Sequence, residues 1–236
     1  MSPFVFALVA AAGNVAGAAA LLRHERRSLE FIEGCIAFGA GFMLAVALLE
    51  VAPQALLLGG SSAGLYILGG YLVVHLAQHV LVPHFHFGEE THRLSASAGW
   101  TALAGLLLHT FFDGVAIASG FAVSSQLGML LFLAVFFHKL PEGVTMASVM
   151  LAGGQGRARA LGAAAALGVA TVLGVLLTEV AAPLARHGLA ISAGVTLYVA
   201  ASNLVPEFQA KRGWAMPAAF FGGAAAFFLT RLLLGG

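Results

Sequence analysis

Residues 108–120 read LHTFFDGVAIASG, and residues 137–149 read FHKLPEGVTMASV. Each carries a histidine followed four residues later by a carboxylate: His109 and Asp113 in the first, His138 and Glu142 in the second. Both stretches are otherwise apolar and read as helices, where an i, i+4 spacing puts the two side chains on one face, one turn apart. Two imidazoles and two carboxylates at membrane depth are costly unless something compensates them. A divalent cation compensates all four at once. The two stretches therefore point to a bundle of membrane helices built around a metal.

The rest of the chain fits that reading. Of 236 residues, 60% are hydrophobic and 9% charged, where a soluble domain carries about 25% charged residues. This is the composition of an integral, multi-pass protein of the lipid bilayer. The formal net charge of +1 offers no basic patch for nucleic acid and no acidic tail. A single cysteine, Cys35, rules out an intrachain disulfide and a thiolate cluster, and within an apolar run it reads as a small buried thiol. The N-terminal MSPFVFALVAAAGNVAGAAALL lacks a positive region ahead of its apolar run, so it reads as a first span and not as a cleaved signal.

A hydrocarbon core about 30 Å thick takes about 20 apolar residues of helix. Eight segments meet that length: 3–22, 31–53, 62–82, 98–122, 127–150, 159–182, 188–206 and 214–234. Their connections are short, so the expectation is one all-α transmembrane domain over 1–236, with abundant Gly and Ala allowing close helix packing. The alternate connections hold Arg23, Arg26, Arg27, Arg93, Arg157, Arg159, Lys211 and Arg212, while the opposite side holds only Arg186 and Arg231. That bias puts both termini on the extracytoplasmic side of the cytoplasmic membrane.

An internal repeat emerges when residues 41–54, GFMLAVALLEVAPQ, are set beside 194–207, GVTLYVAASNLVPE. Gly41/Gly194, Leu44/Leu197, Val46/Val199, Ala47/Ala200 and Pro53/Pro206 match at one offset. The two helices would run in opposite directions, as an inverted repeat requires, and such repeats place transport sites at their interface. Pro53, Pro141 and Pro206 each remove a backbone donor inside a span, freeing the carbonyls of Leu49, Phe137 and Ser202 to line a water-filled path.

Imidazole and carboxylate ligands suit zinc, iron, manganese or nickel, and the lack of thiolate argues against copper(I). A glycine follows each acid, Gly114 after Asp113 and Gly143 after Glu142, which lets a neighbouring helix or a hydrated ion approach closely. Glu50 is the remaining deep carboxylate, suited to be a transient ligand, an entrance acid or a partner for Lys139; Asn203 takes the matching place in the repeat.

The pairing of H-x-x-x-[DE]-G with H-x-x-P-E-G, on the fourth and fifth of eight spans, resembles the ZIP family of divalent-metal transporters (zinc/iron permeases). TLYVAASNLVPE is similar to that family's seventh helix, and the histidine-bearing loop between spans three and four fits as well. The resemblance implies transport of a divalent cation, zinc first and iron, manganese or cadmium as alternatives, toward the cytoplasm, in a homodimer. It assigns His109, Asp113, His138 and Glu142 as ligands of the principal site. Relatives often place further ligands for a second metal where this chain has Thr110, Lys139 and Thr171. We read a single-metal site in which the Lys139 ammonium stands where the second ion would be.

His75 and His79 form another i, i+4 pair, and His84, His86 and His92 cluster in PHFHFGEETH with Glu89 and Glu90, a candidate cytoplasmic exit site. The competing reading is an intramembrane zinc hydrolase, in which zinc lowers the pKa of a bound water. Glu50 could act as its base, yet no Ser or HExxH-type element stands beside the ligands. Transport is the expectation, with no catalytic residue and no organic cofactor.

Overall fold

The computed structural model describes residues 2–23, 29–80, 98–209 and 213–235. The loop histidines His84, His86 and His92, and the basic residues Arg26, Arg27, Arg93, Lys211 and Arg212, lie outside the described residues. The helices, numbered in chain order, are α1 (Pro3–Arg23), α2 (Leu29–Val46), α3 (Ala52–Gly59), α4 (Ala63–Val80), α5 (Ala98–Val123), α6 (Ser125–Ala152), α7 (Arg157–Val180), α8 (Ala182–Tyr198), α9 (Val205–Gln209) and α10 (Ala215–Leu233). No strand occurs among the described residues.

Seven helical runs among the described residues are long and apolar enough to cross a membrane. One of them, Glu33–His79, has 47 residues, which at about 1.5 Å each is about 70 Å, more than twice a core of about 30 Å. It is broken at Gly60, whose φ of 57° suits a residue without a side chain. The spans expected at 98–122 and 127–150 are α5 and α6. They are separated by Ser124, which adopts extended backbone and accepts a hydrogen bond from the Leu127 amide at 3.0 Å, a helix N-cap.

Two π turns interrupt otherwise regular helix, at Ala47–Val51 between α2 and α3 and at Val199–Leu204 between α8 and α9. Their amides bond five residues back, Ala52 to Ala47 and Val205 to Ala200. Each turn ends two residues ahead of a proline, Pro53 or Pro206, so the ladder changes register just before the missing donor. Both turns fall in the two stretches matched by the repeat. Pro141, by contrast, sits inside an unbroken α6.

The bundle is organised by six close pairings: α1 with α6, α5 with α7, α2 with α10, α5 with α6, α1 with α7, and α4 with α8. The candidate-ligand helices α5 and α6 thus pack on each other and on α7 and α1. A Cβ on Gly114 would strike the Thr171 carbonyl oxygen of α7, and one on Gly143 would strike the Asn14 carbonyl oxygen of α1. Both candidate acidic ligands are thus followed by a glycine whose bare Cα lets a neighbouring backbone come into contact, the small-residue packing of membrane helices. Against α6, Phe137 meets Phe38 and Phe42 of α2 edge-on, with ring centroids 5.3 Å and 5.0 Å away.

Candidate metal centre

The four expected ligands converge. His109 and Asp113 come from α5, His138 and Glu142 from α6, and one ligand atom from each lies within 4.8 Å of all the others. All four residues are buried, at 2–9% exposure. His109 Nε2 is 3.1 Å from Glu142 Oε1, and His138 Nε2 is 3.2 Å from Asp113 Oδ2. Zinc–ligand bonds of about 2.0–2.1 Å give tetrahedral edges of about 3.3 Å, so these two edges already have the required length.

The hydrogen bonding around the quartet leaves a position for a cation. His138 Nδ1 is 2.9 Å from the Ala134 carbonyl, which can only accept, so Nδ1 carries a proton and Nε2 is turned toward Asp113. That nitrogen faces a carboxylate oxygen at 3.2 Å, a contact satisfied by a proton on Nε2 or by a cation held between the two atoms. His109 has no hydrogen bond at either ring nitrogen among the described residues, although its Nε2 is close to Glu142.

Lys139, with no exposure at all, supplies part of the positive charge. Its Nζ lies 2.7 Å from Asp113 Oδ2 and 2.7 Å from Glu142 Oε2. Thr110 Oγ1 donates to Glu142 Oε1 at 2.8 Å. Asn14 of α1, oriented to satisfy both groups, donates through its amide nitrogen to the Lys139 carbonyl at 2.7 Å and to Glu142 Oε2 at 3.2 Å. Two carboxylates against one ammonium leave a net charge of −1 with neutral imidazoles, and a divalent cation would bring it to +1. In a low-dielectric interior either value is far less costly than two uncompensated carboxylates.

Other residues singled out in the sequence stand apart. Glu50, in the first π turn, has Oε1 2.8 Å from Arg231 Nε of α10 and is not among the clustered ligands. Thr171 is buried behind Gly114, its hydroxyl directed to the Leu167 carbonyl of its own helix at 3.4 Å. His75 and His79 are neighbours on α4, with rings 4.1 Å apart and His79 Nδ1 2.9 Å from the His75 carbonyl. Asn14 was not foreseen: its only sequence signal is an amide in the apolar, glycine-flanked run AAGNVAG.

The surroundings are asymmetric. Toward Ser124, where α5 ends and α6 begins, Met43, Val46, Ala116, Leu131 and Ala134 belong to one close-packed apolar cluster. Toward Gly153, a cavity of about 40 Å³ adjoins the quartet, lined by His109, His138, Glu142, Leu106, Thr145 and Asn203 among others. At about 10–15 Å³ per water it has room for about three.

Residues 86–231, more than half of the chain, match the family described as ZIP zinc transporter. The chain belongs to that family. It is 28% identical over 157 residues to zinc transporter ZIP9-A of Xenopus laevis, covering 61% of this chain and 52% of the relative. Zinc transporter ZupT of Escherichia fergusonii is 29% identical over 138 residues, 54% of this chain and 53% of the relative. Mouse zinc transporter ZIP10 is 30% identical over 116 residues, 48% of this chain and 14% of the relative. The chain thus spans about half the length of ZIP9-A and ZupT and a small part of ZIP10. Family membership and the seven long apolar helical runs fit an integral, multi-pass membrane protein.

Proposed function

We propose that this ZIP family chain carries a divalent transition metal, zinc first, across the membrane toward the cytoplasm through His109, Asp113, His138 and Glu142. The observation that carries the reading is the pair of imidazole nitrogens aimed at carboxylate oxygens inside a buried, lysine-containing cluster. The ion serves as cargo, because the quartet opens onto a cavity on one side and meets packed apolar side chains on the other. Exchange between that state and its opposite, by rigid movement of one helix group against another, is alternating access. With the basic loops cytoplasmic, the cavity is the inner mouth.

In this reading the run Glu33–His79 crosses twice, reversing near Gly60, which makes eight spans with both termini outside. The inverted repeat is supported by the two π turns at matched positions and by equivalent glycine contacts: Gly41 of α2 against α10, and Gly194 of α8 against α4. A homodimer is part of the same reading.

Lys139 takes the place of a second ion, because it bridges the two carboxylates that a second metal would have to share. Hydrolysis is disfavoured by Glu50, the one candidate base, which pairs with Arg231 instead of facing the quartet. His75 and His79 remain a candidate exit pair. The test is zinc uptake by sealed proteoliposomes holding the purified protein. Uptake by the wild type that is lost in His138→Ala supports transport; wild-type vesicles that take up no metal refute it.

A further inference from the structure

Resting on that homodimer reading, we infer that His75 and His79 of α4 are one half of a zinc site, completed by the same pair on a second copy of the chain. The exposed face of α4 carries the argument. Leu65, Leu68, Leu72, His75 and His79 are all exposed, and they follow one another at intervals of three, four, three and four. That is the a/d spacing of a left-handed helix pair, with leucine in three layers and histidine in the last two. The opposite face is already taken. A Cβ on Gly70 would strike the Ile191 carbonyl oxygen of α8, whereas one on Gly64 or Gly69, which flank the seam, would meet nothing within 4 Å.

Leucines on such a face are at home against lipid, but imidazoles are not. Ionisable side chains of membrane helices turn to a partner, the bundle interior or water, and these two do not turn inward. They are arranged as a chelate. Their rings are 4.1 Å apart, one helical turn from each other on one face, the placement by which two histidines at i, i+4 grip zinc. His79 Nδ1 donates to the His75 carbonyl at 2.9 Å, so in the neutral ring Nε2 is the ligand atom. His75 also meets Tyr198 of α8 edge-on, at 75° with ring centroids 5.7 Å apart, which restrains its rotation. Two held imidazoles are half of what a closed zinc site takes.

A second copy supplies the other half by symmetry. Two chains inserted in the same orientation pair their α4 helices in parallel about a two-fold axis along the membrane normal, so each seam layer meets its own counterpart. Leucine meets leucine in three layers, and the two histidine layers bring four imidazoles together on the axis. Four neutral imidazoles suit zinc and leave no open position. An ion there is retained, one for every two chains, whereas the quartet carries its ion as cargo.

The test measures mass and bound metal of the purified full chain in detergent, by light scattering and elemental analysis, with zinc or with chelator. Wild type is compared with the double variant His75→Ala/His79→Ala. With free zinc about a hundredfold above the Kd of the bridging site, the wild-type dimer should tighten about a hundredfold. Its bound zinc should exceed that of the double variant by half an equivalent per chain, and the double variant should dimerise equally with zinc and with chelator. The face is read separately: in a Cys35→Ser background a short bis-maleimide should join Leu72→Cys to its partner, but not Leu229→Cys on the exposed side of α10. A full extra equivalent on each single chain, with no gain in mass, is the behaviour of an exit pair and overturns the bridge. So does a wild-type dimer indifferent to zinc, or cross-linking through α10 in place of α4. A chain that stays monomeric under every condition strikes the homodimer reading as well, while vesicle uptake tests transport independently of both.

Discussion

Replacing Lys139 by methionine separates the roles of the lysine from those of the ligands. Methionine keeps most of the stem and fills the same buried space, but leaves Asp113 and Glu142 without the ammonium that now lies 2.7 Å from each. Removing one partner of a buried ion pair costs about 3–5 kcal/mol, so the metal-free protein should melt markedly earlier in detergent. The effect on zinc has the opposite sign. A zinc bound to Asp113 Oδ2 at about 2.1 Å lies within about 4.8 Å of Nζ. A unit charge and a divalent ion at that distance repel by about 7 kcal/mol at an effective dielectric of about 20. If only about 2 kcal/mol survives relaxation, zinc still binds about thirtyfold more tightly to the methionine variant. Calorimetric titration of purified protein reads that affinity, and vesicle uptake reads its cost: tighter binding slows release and lowers maximal uptake. Zinc should also restore more melting temperature in the variant than in the wild type. Lys139→Arg, which keeps the charge, should stay near the wild type in affinity. A zinc Kd for Lys139→Met within about threefold of wild type would refute the idea that the ammonium shares the carboxylates with the metal.

Three further outcomes follow from the same geometry. Lys139→Asp exchanges the ammonium for a ligand and should raise bound metal above one per chain or alter selectivity, read by elemental analysis and a metal-panel uptake assay. Gly143→Ala drives a methyl into the Asn14 carbonyl; overpacking of this kind costs about 1–3 kcal/mol, and the melting temperature in detergent should fall with zinc affinity following it as α1 moves off α6. Asn14→Ala removes the donor to Glu142 Oε2 and the Lys139 carbonyl, a loss of about 1–3 kcal/mol for buried polar groups left unpaired, visible as lower stability with the four ligands intact.

Periodicity and cost singled out the candidate quartet in the sequence. Four ionisable groups in two i, i+4 pairs inside apolar helices have few physical explanations, and the burial of all four in one cluster agrees with the cation reading. Asn14 was beyond reach because its role depends on α1 lying against α6, a contact between positions about 125 apart in the chain. A single amide in a glycine- and alanine-rich run says nothing about its partner. The same holds for Glu50, whose partner Arg231 comes from the last helix. Lys139 was visible, but its direction was not: a long stem on a membrane helix can snorkel outward as easily as turn inward, and only the packing of α1 and α5 around α6 buries it. The prolines signalled a disturbance at residues 53 and 206, while the structure resolves it as a change to π register, which depends on the whole ladder and not on residue type. The break in Glu33–His79 falls at GGSS, residues 59–62, where a paired glycine supplies the backbone freedom that Gly60 uses.

Under the proposed transport function the lysine has one more consequence, for the half of the cycle in which nothing is carried. A carrier must return empty, and a vacated site holding two bare carboxylates would have to cross the low-dielectric interior with a charge of −2 or bring protons or another ion along. With Lys139 tethered between Asp113 and Glu142, the vacated site brings its own counter-ion, and its net charge is only −1. The unloaded return is therefore electrostatically easier than it would be for a site that depends on a second metal for neutrality. Under the proposed transport function, a site of this design completes a turnover, and resets, with one ion at a time.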